Sequence, residues 1–251
     1  MEHVLADLDA EHRDLERLLR GLSPDQWAAP TRCPGWDVAD VVLHLSQTDE
    51  MAVASLTDGP SGPRPSWTEE LAGVDSVDDG AALLVARERG LPNEVLLERW
   101  VSGAATLVEL LDGRDLSTRV TWVTGQLSAR TLATTRLAEA WIHGGDVAAA
   151  LGISRTPTDR LGPIARLAWR TLPYAFVRAG LAPPGPVAFH LVSPTGVHWD
   201  FEPDEPATTS LDGPAAELCE VAARRVEPSA TRLIAEGPDG AAVLSLVRTY
   251  A

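Results

Sequence analysis

The chain has 251 residues, 45% hydrophobic and 23% charged, an ordinary globular composition with enough length for one large or two modest domains. Its formal net charge is −15 and every basic side chain is arginine, so nucleic acid and anionic membrane are poor partners and no basic run offers a nucleic-acid footprint. No stretch approaches the roughly 18 apolar residues of a membrane span.

The N-terminal "MEHVLADLDAEHRDLERLL" is amphipathic and charged, without the apolar core of a signal peptide, and a cytoplasmic protein is expected. Residues 2–22 place Val4, Leu8, Leu15, Leu18, Leu19 and Leu22 at helical spacing. "SPDQW" then offers Ser23 as a cap, Pro24 at the first helical position and Gln26 to complete a capping box. "AAPTRCPGW" reads as a loop, and Asp37 as the N-cap of "VADVVLHLSQTDEMAVASL", whose Val38, Val42, Leu45, Ala52 and Leu56 form one stripe. "TDGPSGPRPS" marks a break. Helices are expected over about 76–90 and 93–112, divided by "GLP". After "DGRDLSTRVTWVTGQ", Ser128 caps the helix that carries "RLAEAWIHGGDVAAALG".

Beyond Gly152 the character changes. "ISRTPTD" reads as a linker, followed by a helix near 159–181 and a hairpin in "PVAFHLVSPTGVHWDF". "ELCEVAARRV" and "GAAVLSLVRTY" are short helical candidates beside a strand at 206–211. The expected architecture is mainly α: a four-helix bundle over residues 1–152 and a smaller α+β domain over 153–251.

Glu139, His143 and Asp146 fall in a narrow sector of one helix at about 100° per residue. A buried carboxylate there needs a partner. An intrahelical pair with His143, a contact with Arg136 and a shared divalent cation all satisfy that need. His44, on the shoulder of the second stripe, reads alone as a hydrogen-bonded packing residue; taken with Glu139 and His143 of a facing helix it gives three ligands and leaves an open coordination position, as catalytic sites do. Asp49 lies on the stripe beyond His44, either as a support for the site or as a solvated group past the bundle's end. Cys33 reads as a small packing residue, Trp27 and Trp36 as anchors of the loop around it, and His12 receives no role.

"PTRCPGWDVADVVLHL" together with "AEAWIHGGDVAAALG" resembles the DinB-like family that includes mycothiol-dependent maleylpyruvate isomerase. The matching pattern is C-x-G-W-x-V-x-D-V-x-x-H-L followed by E-x-x-x-H-x-x-D. The resemblance implies a DinB-like bundle holding a divalent metal on His44, Glu139 and His143. Zinc suits that N/O set, and Fe, Mn, Co or Ni are alternatives. It further implies a metal-activated thiolate, with mycothiol as cosubstrate, acting on a small-molecule electrophile as an isomerase or S-transferase. Metal-water chemistry in a secondary-metabolite pathway and a non-catalytic ligand-binding module are the alternatives. Asp146 would orient His143, receive a substrate proton or simply bond a loop. In the isomerases an arginine of the second domain contributes to catalysis. "AARRVEPSATRL" offers Arg224, Arg225 and Arg232 for that role, and Arg225 is the candidate. The oligomeric state, monomer or homodimer, stays open.

Overall fold

The computed structural model describes residues 3–58, 69, 71, 73–74, 76–123 and 125–249. The chain divides into two compact units, Glu2–Arg155 and Thr156–Ala251. The first contains α1 (Val4–Leu19), α2 (Pro24–Trp27), α3 (Val38–Asp58), α4 (Val77–Glu88), α5 (Asn93–Asp112) and α6 (Ala129–Ala150). Helices α1 and α3 each pack against both α5 and α6, which closes a four-helix bundle, while α4 lies against α3. Leu15, Leu19, Val42, Leu96, Trp100 and Val147 meet in its core. No described helix is long and apolar enough to cross a membrane.

Local chemistry sets where these helices begin. The Asp37 carboxylate accepts the Asp40 backbone N–H at 2.9 Å, and Asp40 Oδ2 accepts that of Asp37 at 3.2 Å. Ser23 and Gln26 make the same reciprocal closure at α2. Ser128 Oγ accepts the Thr131 N–H at 3.1 Å and starts α6. The break at "TDGPSGPRPS" lies, from Gly59 onward, outside the described residues.

Helix α6 is buried on nearly every side, with Leu132, Ala133, Leu137, Ala140, Ile142, Val147 and Ala148 all enclosed. Its small residues allow close neighbours. A Cβ on Gly144 would stand 2.9 Å from Arg155 Nη1. Arg155 crosses there, donating to the Trp141 carbonyl at 3.1 Å and pairing with the buried Glu11 carboxylate.

The connection before α6, for which the sequence predicts no element, is regular. It folds into an antiparallel hairpin of β1 (Arg119–Trp122) and β2 (Gly125–Ser128), with Trp122 opposite Gly125. Gly125 takes φ +113, a conformation that excludes most side chains.

The second unit holds α7 (Leu161–Arg170), α8 (Leu172–Arg178), β3 (Val187–Val192), β4 (His198–Phe201), β5 (Thr209–Pro214), α9 (Ala215–Ala222), β6 (Ile234–Glu236) and α10 (Gly240–Leu246). The sheet runs β4-β3-β5-β6, with β3 and β5 parallel and the other pairs antiparallel. The single helix expected over 159–181 is two helices. Pro173 has no N–H for the Trp169 carbonyl and its ring crowds that carbonyl, so the chain breaks at Thr171. The strand expected at 206–211 runs three residues later, and β6 is an addition.

Asp37→Ala removes the cap that starts α3 and is expected to cost about 1 kcal/mol in chemical denaturation. Asp37→Ser, which can still cap, is expected to recover most of that loss.

Candidate metal centre

The bundle brings one residue of α3 and two of α6 to a common point. His44 Nε2 lies 3.4 Å from Glu139 Oε2, and His143 Nε2 lies 3.5 Å from the same oxygen. The two imidazole rings meet edge to face at 5.0 Å. The three ligand atoms all fall within 4.8 Å of one another, and all three residues are buried. Both N···O separations exceed the 2.7–3.2 Å of a good N–H···O bond. They match the roughly 3.3 Å expected between two ligands that each stand about 2.05 Å from one tetrahedral ion. The donor set is therefore compatible with a shared cation as well as with long hydrogen bonds to the carboxylate.

The electrostatics of the centre follow from its burial. Desolvation alone would raise the Glu139 carboxyl, but hydrogen bonding to His143 and His44 and the charge of Arg136 overcome it and hold the group well below its usual range. His44 is lowered, first by burial, with His143 and Arg136 adding to the effect against Glu139. His143 is also penalised by burial, yet Asp146, Cys33 and Glu139 together lift it well above 6.5.

Asp146 stands behind His143, with Oδ2 at 3.1 Å from Nδ1, and is completely enclosed. When Nδ1 carries the proton and donates it to Asp146, the Nε2 lone pair faces Glu139 and His44. Cys33 reaches the same carboxylate, its thiol donating to Asp146 Oδ2 at 3.4 Å with Sγ 3.9 Å from His143 Nδ1. The expectation that Cys33 only packs is thus incomplete. It touches the core, and it also contacts the pair behind the centre.

The "CPGW" sequence explains this placement. The Trp36 N–H donates to the Cys33 carbonyl at 3.0 Å, with Pro34 and Gly35 between them and Gly35 at φ +77, the residue pattern of a type II turn. The turn directs Cys33 toward His143 and sets the Trp36 ring 5.1 Å from that of His44. The Pro-Gly pair was a readable signal for a turn, but the target of its flanking side chains was not.

Asp49 is neither solvated nor beyond the bundle. It is 2% exposed, 3.8 Å from Arg136 Nη1. Arg225 belongs to the second unit, just past α9, where its Nη1 donates to the Ala223 carbonyl at 2.9 Å. Arg232 pairs with Glu217 at 2.7 Å, and Arg224 donates to the Ser245 carbonyl at 2.9 Å.

Residues 8–148 match the mycothiol maleylpyruvate isomerase N-terminal domain family. Uncharacterized proteins of Mycobacterium tuberculosis, from strains CDC 1551 and H37Rv, are each 36% identical over 251 residues, covering 98% of this chain and 95% of the relative. Crystal structures of the mycothiol-dependent maleylpyruvate isomerase and of one of its mutants superpose with TM-scores of 0.62 and 0.59. Each covers 95% of both chains at 17% identity, a likeness of fold alone. The chain therefore belongs to the mycothiol maleylpyruvate isomerase N-terminal domain family, with a DinB-like bundle and an α+β unit following it.

In metal-free protein, protonated His143 contributes stability that is fully present below 6.5 and is lost as pH rises through its higher folded value. Asp146→Asn removes the largest raising influence. His143 in this variant is expected to titrate closer to 6.5 by NMR, so its stability contribution is smaller and the loss, which begins near 6.5 in both proteins, is complete at lower pH.

Proposed function

We propose that this chain is a metal-dependent enzyme that delivers a low-molecular-weight thiol, mycothiol first among candidates, to a small-molecule electrophile as an isomerase or S-transferase. The observation that carries this reading is the pair of 3.4 and 3.5 Å separations around one buried carboxylate oxygen. His44, Glu139 and His143 would hold the ion, and their two-nitrogen, one-oxygen set suits zinc. A divalent cation there supplies Lewis acidity that lowers the pKa of a coordinated thiol toward neutrality.

The chain's own side chains do the rest. Three protein ligands leave a position for an incoming group. Asp146 holds the His143 proton on Nδ1 and keeps Nε2 free to ligate, while Cys33 fixes the carboxylate that does so. Trp36 limits the tilt of the His44 ring. Burial of all three ligands excludes bulk water and strengthens every charge interaction at the centre. Arg225 enters by the resemblance alone, as the arginine offered to an acceptor's carboxyl group. The name of the structural relatives, a mycothiol-dependent maleylpyruvate isomerase, supports the choice of thiol and of reaction class.

Protein purified without chelator is expected to carry about one divalent ion per chain, and Glu139→Ala to lose it. Thiol-dependent turnover should disappear in His44→Ala. Wild-type protein that stays metal-free after incubation with Zn, Mn, Fe, Co and Ni would overturn the reading. Because His143 is lifted above 6.5 and must shed a proton to ligate through Nε2 while donating from Nδ1, metal uptake should release protons. The apparent metal affinity should therefore fall as pH drops, which a pH series of competition titrations would measure.

A further inference from the structure

A second polar group lies inside the bundle and shares no residue with the metal centre. His12 of α1, Asp49 of α3, Trp100 of α5 and Arg136 of α6 are 6%, 2%, 1% and 4% exposed. Arg136 Nη1 stands 3.8 Å from Asp49 Oδ1, His12 Nε2 stands 4.0 Å from Asp49 Oδ2, and the His12 ring meets Trp100 edge-on at 5.8 Å. None of these contacts is a hydrogen bond. Apart from the long ion-pair contacts and the approach of the Trp100 indole to Asp49, Arg136 Nε and Nη1, Trp100 Nε1, both His12 ring nitrogens and Asp49 Oδ2 make no hydrogen bond of ordinary geometry among the described residues. Buried polar atoms left without hydrogen bonds are destabilising, so this cluster would be stabilised by a guest that supplies the missing partners.

Their chemistry indicates what that is. Arg136 and Trp100 can only donate, and His12 donates from one of its nitrogens, so donors outnumber acceptors. Arg136 brings a fixed positive charge, with the Trp122 ring stacked 5.0 Å from it. We infer that these four residues form a binding site for a small monovalent oxyanion, of which a carboxylate is the type.

The site's charge balance involves one adjustable group. Asp49 faces His12 from α1, Trp100 from α5, Arg136 and Glu139 from α6, and Glu50 on its own helix. Burial pushes Asp49 up to about 7, against the pull of Arg136 and the nearby Trp100 indole. Burial lowers His12 to about 4, so it is neutral. Glu50 is paired with Arg99 at 2.7 Å. Anion binding is therefore expected to draw a proton onto Asp49.

The test is calorimetric titration of the full chain with sodium formate against sodium chloride at equal ionic strength, in buffers of different ionisation enthalpy. It is run on chelator-treated protein and on His44→Ala, so formate seated on a metal is excluded and the outcome does not depend on the metal proposal. Near pH 8 formate should bind with proton uptake and, if only protonated Asp49 accepts it, roughly tenfold more weakly than near pH 6, where Asp49 already carries its proton and little is taken up. Asp49→Asn, which preserves shape, should flatten that pH dependence, and Arg136→Gln should abolish binding. Nitrate binding as tightly as formate assigns the site to inorganic oxyanions, and preference for formate assigns it to carboxylates. Absence of saturable heat in wild type, or binding near pH 8 without proton uptake, overturns the proposal and leaves the site to water. That wild-type measurement stands even where a variant fails to fold.

Discussion

A carboxylate shut inside a helix bundle determines much of what surrounds it. Ionised and unpaired, Glu139 would cost several kcal/mol in this setting. Its position is tolerable because two imidazole nitrogens approach one oxygen and Arg136, one turn earlier on α6, adds its charge. That arrangement tightly constrains both helices. A slip of one residue in α3 or α6 would rotate its ligand by about 100°. The caps at Asp37 and Ser128 therefore matter beyond their own energies, since each fixes the residue at which a helix carrying a candidate ligand begins. The "CPGW" turn extends the same control, placing one flanking side chain against each histidine of the centre.

Most of the bundle was readable in the sequence because its helices announce themselves locally. Ser23 with Gln26, Asp37 and Ser128 are polar residues directly ahead of apolar periodicity, and each caps as its position suggests. What escaped was governed by short or non-local signals. The β1–β2 hairpin has four residues per strand, too few for alternation to stand out, although Val120 and Trp122 do alternate inward. The helix near 159–181 carried apolar spacing straight through Pro173, and the missing N–H prevailed over the periodicity.

The candidate centre divides in the same way. Glu139, His143 and Asp146 lie on one helix, so their proximity follows from spacing, and His44 needed only the assumption that α3 faces α6. The contact of Cys33 with Asp146 depends on a turn whose direction no periodicity encodes. The gathering of His12, Asp49, Trp100 and Arg136 draws one residue from each of four helices. Their relative register is a property of packing, which a single sequence does not display. His12, which received no role from the sequence, has its ring turned inward against Trp100.

Arg136 links the two buried groups, since its charge acts on Glu139 and His44 on one side and on Asp49 and His12 on the other. A lysine in its place could escape burial by giving up its proton, whereas a guanidinium retains its charge at any ordinary pH. The adjustment must therefore come from the partner. Asp49, held near neutrality between desolvation and Arg136, is the group able to supply it. Were Glu139 committed to a metal ion, less of its charge would remain to balance Arg136, and the demand on Asp49 or on a bound anion would grow. The candidate metal centre and the second polar group are in this sense one electrostatic problem, solved on two faces of the same arginine.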